Sequence, residues 1–94
     1  MRKYEVTYIL RPQLEEEAVT ATAEKYSQMV TEQGGQVENV NHWGKRTFAY
    51  ELDRNTEGYY IIMRFVSEPA VEEELHRVMK LSDDILRCLF ISVD

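Results

Sequence analysis

The chain is predicted to form an α+β domain in which a four-stranded antiparallel sheet carries two helices on one face. Apolar residues alternate with polar ones in four segments, as in strands, and recur every three or four positions in two others, as in amphipathic helices. The segments follow one another in the order β-α-β-β-α-β. A length of 94 residues is that of one small domain, residues 1–94, with a limited core.

A strand and a long helix are predicted in the first third of the chain. Lys3 to Leu10 alternates one strongly apolar face with a more polar one, as a half-buried strand does. Pro12 ends this strand, and the carboxylates of residues 15–17 favour a helix start, where the macrodipole is positive. The apolar stripe of this helix reaches Val30. The helix closes at Gly34-Gly35, because glycine readily adopts the left-handed conformation that follows many helices.

A long β-hairpin is predicted next, from Val37 to Phe65. The first two apolar residues of its first strand, Val37 and Val40, stand three positions apart. Because this spacing breaks the alternation before Phe48 resumes it, we expect a bulge near Gly44. Residues 53–58 supply turn-forming types, and the following strand is apolar on both of its faces.

The last third of the chain predicts a short helix and a fourth strand. Pro69 fits the first turn of a helix, and Lys80 fits its last turn, where a cation is favoured. The strand is predicted from Ile85 to Val93. One of its faces carries Leu86, Cys88 and Phe90, and the other carries Leu89, Ile91 and Val93. Two right-handed crossovers around a hairpin give the ferredoxin-like arrangement with sheet order 4-1-3-2.

The composition argues against several functional classes. No segment approaches the roughly 18 apolar residues of a membrane span, and the first ten residues do not read as a secretion signal. Cys88 is the lone cysteine, predicted to be a buried inert thiol in the reducing cytoplasm. His42 and His76 lie far apart on different elements, and no nucleophile has a recognisable setting. We therefore expect no enzyme, cofactor, metal or small-molecule substrate.

An apolar patch is predicted on the sheet face that the helices leave open. Its members come from the third and fourth strands: Tyr60, Ile62, Leu89 and Ile91. A clustered patch of this kind usually contacts a partner, although single exposed apolar residues are ordinary. Docking is the favoured interpretation.

Phosphate contacts are a further possibility, although the net charge is −6. The candidate cations lie at strand and helix ends: Arg2, Lys3, Lys80 and Arg87. The alternative is that these cations only solubilise the chain. An RNA recognition motif, which shares this topology and stacks bases on sheet aromatics, is disfavoured. Residues 57–65 occupy the strand that carries the conserved motif of RNA recognition motifs, but Glu57 stands where that motif has a cation and Tyr60 where it has a small residue.

Five stretches along the chain are jointly specific for one family. They are Met1-Arg2-Lys3-Tyr4-Glu5, Leu10-Arg11-Pro12-Gln13-Leu14, Gly34-Gly35, Trp43-Gly44-Lys45-Arg46 leading to Ala49-Tyr50, and Glu57-Gly58-Tyr59-Tyr60. The chain resembles bacterial small-subunit ribosomal protein six from end to end. The resemblance implies a non-catalytic component of the small ribosomal subunit. It also implies pairing with small-subunit protein eighteen and, together with that protein, binding to the central domain of the small-subunit rRNA.

The resemblance and the open face together define the expected sites. The partner surface comprises Trp43, Lys45, Arg46, Tyr50, Tyr60, Ile62 and Leu89, with aromatics as anchors and cations fixing the register. The RNA contacts are Arg2, Lys3, Lys80 and Arg87. The chain departs from the family at Glu51, where proline is common, and in having fewer cations after the second helix. The alternative function is a ferredoxin-like interaction or ligand-binding module that uses the same face without RNA.

Overall fold

The computed structural model describes residues 1–93 and reproduces the predicted order of elements within them. The elements are β1 (Arg2–Leu10), α1 (Glu16–Glu32), β2 (Gln36–Leu52), β3 (Asn55–Ser67), α2 (Pro69–Leu81) and β4 (Ile85–Ser92). Across residues 1–93 the strands form one antiparallel sheet in the order β2-β3-β1-β4. The predicted ferredoxin-like α+β fold is therefore confirmed.

The core lies between the helices and one face of the sheet, because β1 sends every second side chain into it. Val6 pairs with Met63 of β3, and Tyr8 pairs with Ile61, so the two central strands present one continuous apolar surface. The fully buried core side chains are Val6, Tyr8, Leu10, Tyr26, Val30, Ile61, Met63, Phe65, Leu75 and Met79. The alternation that predicted β1 thus marks the face that the helices cover.

β2 is more irregular than the sequence predicted. Its register with β3 shifts between His42 and Gly44, which confirms the bulge near Gly44, where φ is +81°. A separate shift between Val37 and Asn39 accounts for the three-residue spacing that had been attributed to the Gly44 bulge. A third shift follows Thr47. Each extra residue re-aims the side chains beyond it.

Two predicted details are wrong. The turn is not residues 53–58, because β3 already begins at Asn55. Asp53 and Arg54 form the turn with φ values of 46° and 66°, and positive φ at both central residues defines a type I′ hairpin turn. At the other edge, Leu10 pairs with Ile85 while Ile9 pairs with Arg87. This shift brings Ile85, rather than the predicted Leu86, against the core.

Tyr8 carries a polar atom into the middle of this core. Its side chain is fully buried, and its ring meets that of Tyr26 edge-on with the centroids 5.6 Å apart. Its hydroxyl has no hydrogen-bond partner among residues 1–93. Burial, with a smaller contribution from Tyr26, raises the pKa of Tyr8 well above its ordinary value of 10.0. The folded chain therefore holds this phenol protonated.

Tyr8→Phe is expected to stabilise the chain by about 1 kcal/mol, because it removes a buried donor that has no partner. It should also reduce the fall in the free energy of unfolding at alkaline pH. Above pH 10.0 the unfolded chain releases the Tyr8 proton while the folded chain keeps it, so the free energy of unfolding falls by up to about 1.4 kcal/mol per pH unit. Urea denaturation between neutral and alkaline pH measures both effects.

The matched control for this change is Tyr50→Phe, which removes the hydroxyl of an exposed side chain and should give no comparable gain in stability. A less stable Tyr8→Phe chain would contradict the prediction. It would show that the hydroxyl is satisfied in solution.

Candidate partner and RNA interface

The sheet face opposite the helices carries the predicted apolar patch. Ile62 lies opposite Thr7, and Thr7 lies opposite Leu89, so these side chains form one row across three strands. Leu89 is 60% exposed and Ile91 is 44% exposed. Tyr60 and Ile62 are half-buried. The structure therefore brings together Tyr60, Ile62 and Leu89 of the predicted partner surface.

The outer part of the β2–β3 hairpin, residues 47–57, folds over one end of this open face. We call this segment the hairpin arm. The Phe48 ring lies 6.0 Å from the Tyr60 ring. Further out, Arg87 of β4 donates from Nη1 to the Tyr50 hydroxyl at 3.3 Å. Because β2 and β4 are opposite edges of the sheet, this bond joins the arm to the far edge.

The cations beside the Gly44 bulge point in different directions. Lys45 Nζ lies 5.2 Å from the centre of the Tyr59 ring, and Tyr59 packs against the core on the helix side. Arg46 pairs with Gly58, and its guanidinium carbon lies 5.9 Å from the Trp43 ring. Both contacts are cation–π geometry. The structure thus groups Trp43 with Arg46 and separates Lys45 from the open face.

The predicted RNA contacts fall into two groups. Arg2 and Lys3 begin β1, where Lys3 forms an ion pair with Glu38 at 3.7 Å. Arg87 lies opposite Ile9, seven residues along β1 from Arg2, which corresponds to about 23 Å. Lys80 and Arg87 line the same shallow depression. No single basic patch therefore unites these four cations in the structure.

Arg64 and Glu5 lie on the open face but are absent from the sites predicted from the sequence. Arg64 Nε donates to Glu5 Oε2 at 2.8 Å across the open face. Both residues line a shallow polar depression with Asn39, Asn41 and Ile62. Arg64 lies between Ile62 and Val66 in the alternation of β3, so strand parity could have placed it on this face.

The described part of the chain offers little for chemistry. In residues 1–93, no group of three or more histidine, cysteine or carboxylate side chains could hold a metal. Partial burial raises the pKa of the Cys88 thiol, and nearby Lys80 opposes this shift. His76 stacks on Phe90 with the ring centroids 4.6 Å apart. Neither α1 nor α2, the helices of the described region, is long and apolar enough to cross a bilayer.

Comparison with known proteins gives one consistent family. The family described as Ribosomal protein S6 matches residues 3–92. The chain is 50% identical to small ribosomal subunit protein bS6 of Moorella thermoacetica over 94 residues, covering 100% of this chain and 96% of the relative. It is 50% identical to the bS6 protein of Desulforamulus reducens over 91 residues, covering 97% and 96%.

Solved structures agree with the sequence relatives. The crystal structure of 30S ribosomal protein S6 from Thermotoga maritima superposes with a TM-score of 0.92 at 27% identity, covering 98% of this chain and 87% of that one. The C-terminal domain of MgtC from Mycobacterium tuberculosis has a TM-score of 0.69 at 14% identity, covering 99% and 88%. The second likeness concerns the fold alone.

Proposed function

The chain belongs to the ribosomal protein S6 family, and we propose that it pairs with small-subunit protein eighteen and, together with that protein, binds the central domain of the small-subunit rRNA. As a member of this family, it is a structural component of the small ribosomal subunit and not an enzyme. Its place of action is the cytoplasmic ribosome.

The exposed row on the open face carries the partner proposal. Leu89 is 60% exposed and shares the row with the half-buried Ile62, from which Thr7 separates it. Burial of such a row by a partner would be favourable. The net charge of −6 would favour encounter with a basic partner. The proposed contacts are Trp43, Arg46, Tyr50, Tyr60, Ile62 and Leu89, with Lys45 at the rim on the helix side.

The two cation groups support an RNA surface that extends beyond the partner surface. Arg2 and Lys3 stand at one end of β1, and Arg87 stands near the other end with Lys80 beside it. Cations that contact phosphates give affinity without reading sequence. We therefore propose that these four side chains contact the RNA backbone on both sides of the bound partner.

Replacing Arg2 with glutamine is expected to weaken rRNA binding by the heterodimer. The slope of log K against log salt should fall by about 0.9, because one fewer counterion is released. A fluorescence titration at several salt concentrations measures this slope. The matched control is Arg77→Gln, which removes an exposed cation that already forms an ion pair with Glu74 on α2. Equal slopes for Arg2→Gln and the unchanged chain would remove Arg2 from the RNA surface.

The decisive experiment for the proposed function is a titration of an rRNA central-domain fragment with the chain alone, protein eighteen alone and their mixture. Tight binding only by the mixture is the expected result. If the heterodimer forms but binds the RNA no more tightly than protein eighteen alone, the pairing is supported and the proposed RNA role of this chain is refuted. If the folded chain neither pairs with protein eighteen nor binds the RNA, the result would favour the alternative function, an interaction module that works without RNA.

A further inference from the structure

The apolar row of the open face borders the polar depression. One residue from each strand lies in the row that crosses this depression: Asn39, Arg64, Glu5 and Ile91. The neighbouring row contains Ile62 and Leu89, which the proposed partner covers. Ile62 itself lines the depression. A partner that covers the apolar row therefore also reaches the polar groups beside it and removes water from them.

Glu5 is the more deeply placed of the two charged residues in this depression. Its side chain is 18% exposed, against 54% for Arg64. Its carboxylate accepts one hydrogen bond among residues 1–93, from Arg64 to Oε2, whereas an ionised carboxylate has about four acceptor sites. Lys3, the preceding cation on this face of β1, pairs with Glu38 instead. A partner that excluded water without supplying a donor would leave a buried charge incompletely satisfied, which is costly.

Two amides on β2 extend the set of acceptors around Glu5. Asn39 lies opposite Arg64, and Asn41 lies opposite Ile62. Both side chains are exposed, and both line the depression. Each amide oxygen is a hydrogen-bond acceptor. The depression therefore offers one carboxylate and two amide oxygens to a donor that approaches from the open face.

We propose that this depression binds an arginine side chain of small-subunit protein eighteen. The proposal rests on the proposed function and names the group of the partner that the open face recognises. The guanidinium donates to Glu5 Oε1, the oxygen that Arg64 does not use, and to the amide oxygens of β2. A guanidinium is planar and has five N–H donors, so it suits several acceptors better than the strongly hydrated, three-donor ammonium of lysine. Arg64 is a positioning residue that holds the Glu5 carboxylate in place.

The charges favour a cation as the occupant. Glu5 and Arg64 neutralise each other, and the chain that surrounds them has a net charge of −6. A carboxylate or a phosphate in the depression would face the Glu5 carboxylate, and like charges brought together at a covered interface are strongly unfavourable. An arginine instead shares the carboxylate with Arg64, each guanidinium using a different oxygen.

Glu5→Gln is expected to weaken binding of protein eighteen by about 30-fold or more, because the arginine of the partner is then covered without its counter-charge. Arg64→Gln breaks the same ion pair but removes a like charge from the site, so the affinity should be unchanged or higher. Glu73→Gln, at an exposed position of α2, changes the net charge as Glu5→Gln does and should leave the affinity unchanged. Isothermal titration measures the three affinities, and circular dichroism verifies the folded state. Equal losses for Glu5→Gln and Arg64→Gln would overturn the proposal, because the ion pair would then act only by stabilising the sheet.

A double-mutant cycle identifies the residue of the partner. Each arginine of protein eighteen is replaced in turn by methionine, and each variant is titrated with the unchanged chain and with Glu5→Gln. One arginine is expected to show a coupling of about tenfold or more with Glu5. The absence of any coupled arginine would overturn the proposal.

Two further outcomes separate this site from the proposed function. If Glu5→Gln keeps its affinity for protein eighteen while the heterodimer loses affinity for the rRNA fragment, the depression binds a nucleobase, and the arginine site is refuted while the pairing stands. If the unchanged chain does not bind protein eighteen at all, the proposed pairing fails and the arginine site fails with it.

Discussion

Replacing Gly58 with valine is expected to destabilise the folded chain by about 3 kcal/mol, near the upper end for an overpacked site. A Cβ atom at this position would lie 2.7 Å from Ile9 Cγ2, 2.8 Å from the Leu10 carbonyl oxygen and 3.1 Å from Phe48 Cζ. The carbonyl belongs to β1 and cannot rotate away as a side chain can. The substitution should therefore loosen the β1–β3 pairing and lift Phe48, with the hairpin arm, from the open face.

Thermal and urea denaturation measure this effect. For a domain of this size, about 3 kcal/mol corresponds to a fall in Tm of about 12 to 24 °C. Thr56→Val is the matched control, because it introduces the same side chain at an exposed position of the same strand. Ile9→Ala should cost less in the Gly58→Val background than in the unchanged chain, since the two sites share one contact. Equal costs would refute the steric explanation.

The fold was predictable because its strongest signals are local. β1 alternates without interruption, and α1 and α2 each have an apolar stripe that ends at a recognisable breaker or cap. These patterns reflect the periods of strand and helix and need no knowledge of distant contacts. The order of elements then leaves few topologies, and the ferredoxin-like sheet is one of them.

The site was less predictable, because strand parity beyond a bulge depends on pairing that the sequence does not display. β2 shifts its register at three places, so the face occupied by Lys45 could not be counted from Val37. One shift reverses every assignment that follows it. The bond from Arg87 to Tyr50 joins residues 37 positions apart, and no periodicity predicts it. The exposed Leu89 was predicted correctly because β4 is regular around it.

Leu89→Asp is expected to weaken binding to small-subunit protein eighteen by about 30-fold or more, the loss typical of a central interface residue. The substitution would place a carboxylate in the row of side chains, including Ile62, that the proposed partner covers. Burying a charge without a counter-charge is unfavourable. Because Leu89 is 60% exposed in the isolated chain, the change should leave the folded state largely intact, which circular dichroism and denaturation can verify.

Leu81→Asp separates this local effect from that of net charge. Leu81 is 71% exposed at the end of α2, away from the open face, and the substitution changes the net charge of the chain equally. Isothermal titration should therefore show a loss of affinity for Leu89→Asp and little change for Leu81→Asp. Equal affinities for the two variants would move the partner to another surface. A loss of affinity for Leu89→Asp alone would support docking of the partner on the row of side chains across β3, β1 and β4. At one end of this row, the hydrogen bond from Arg87 to Tyr50 holds the hairpin arm against the open face.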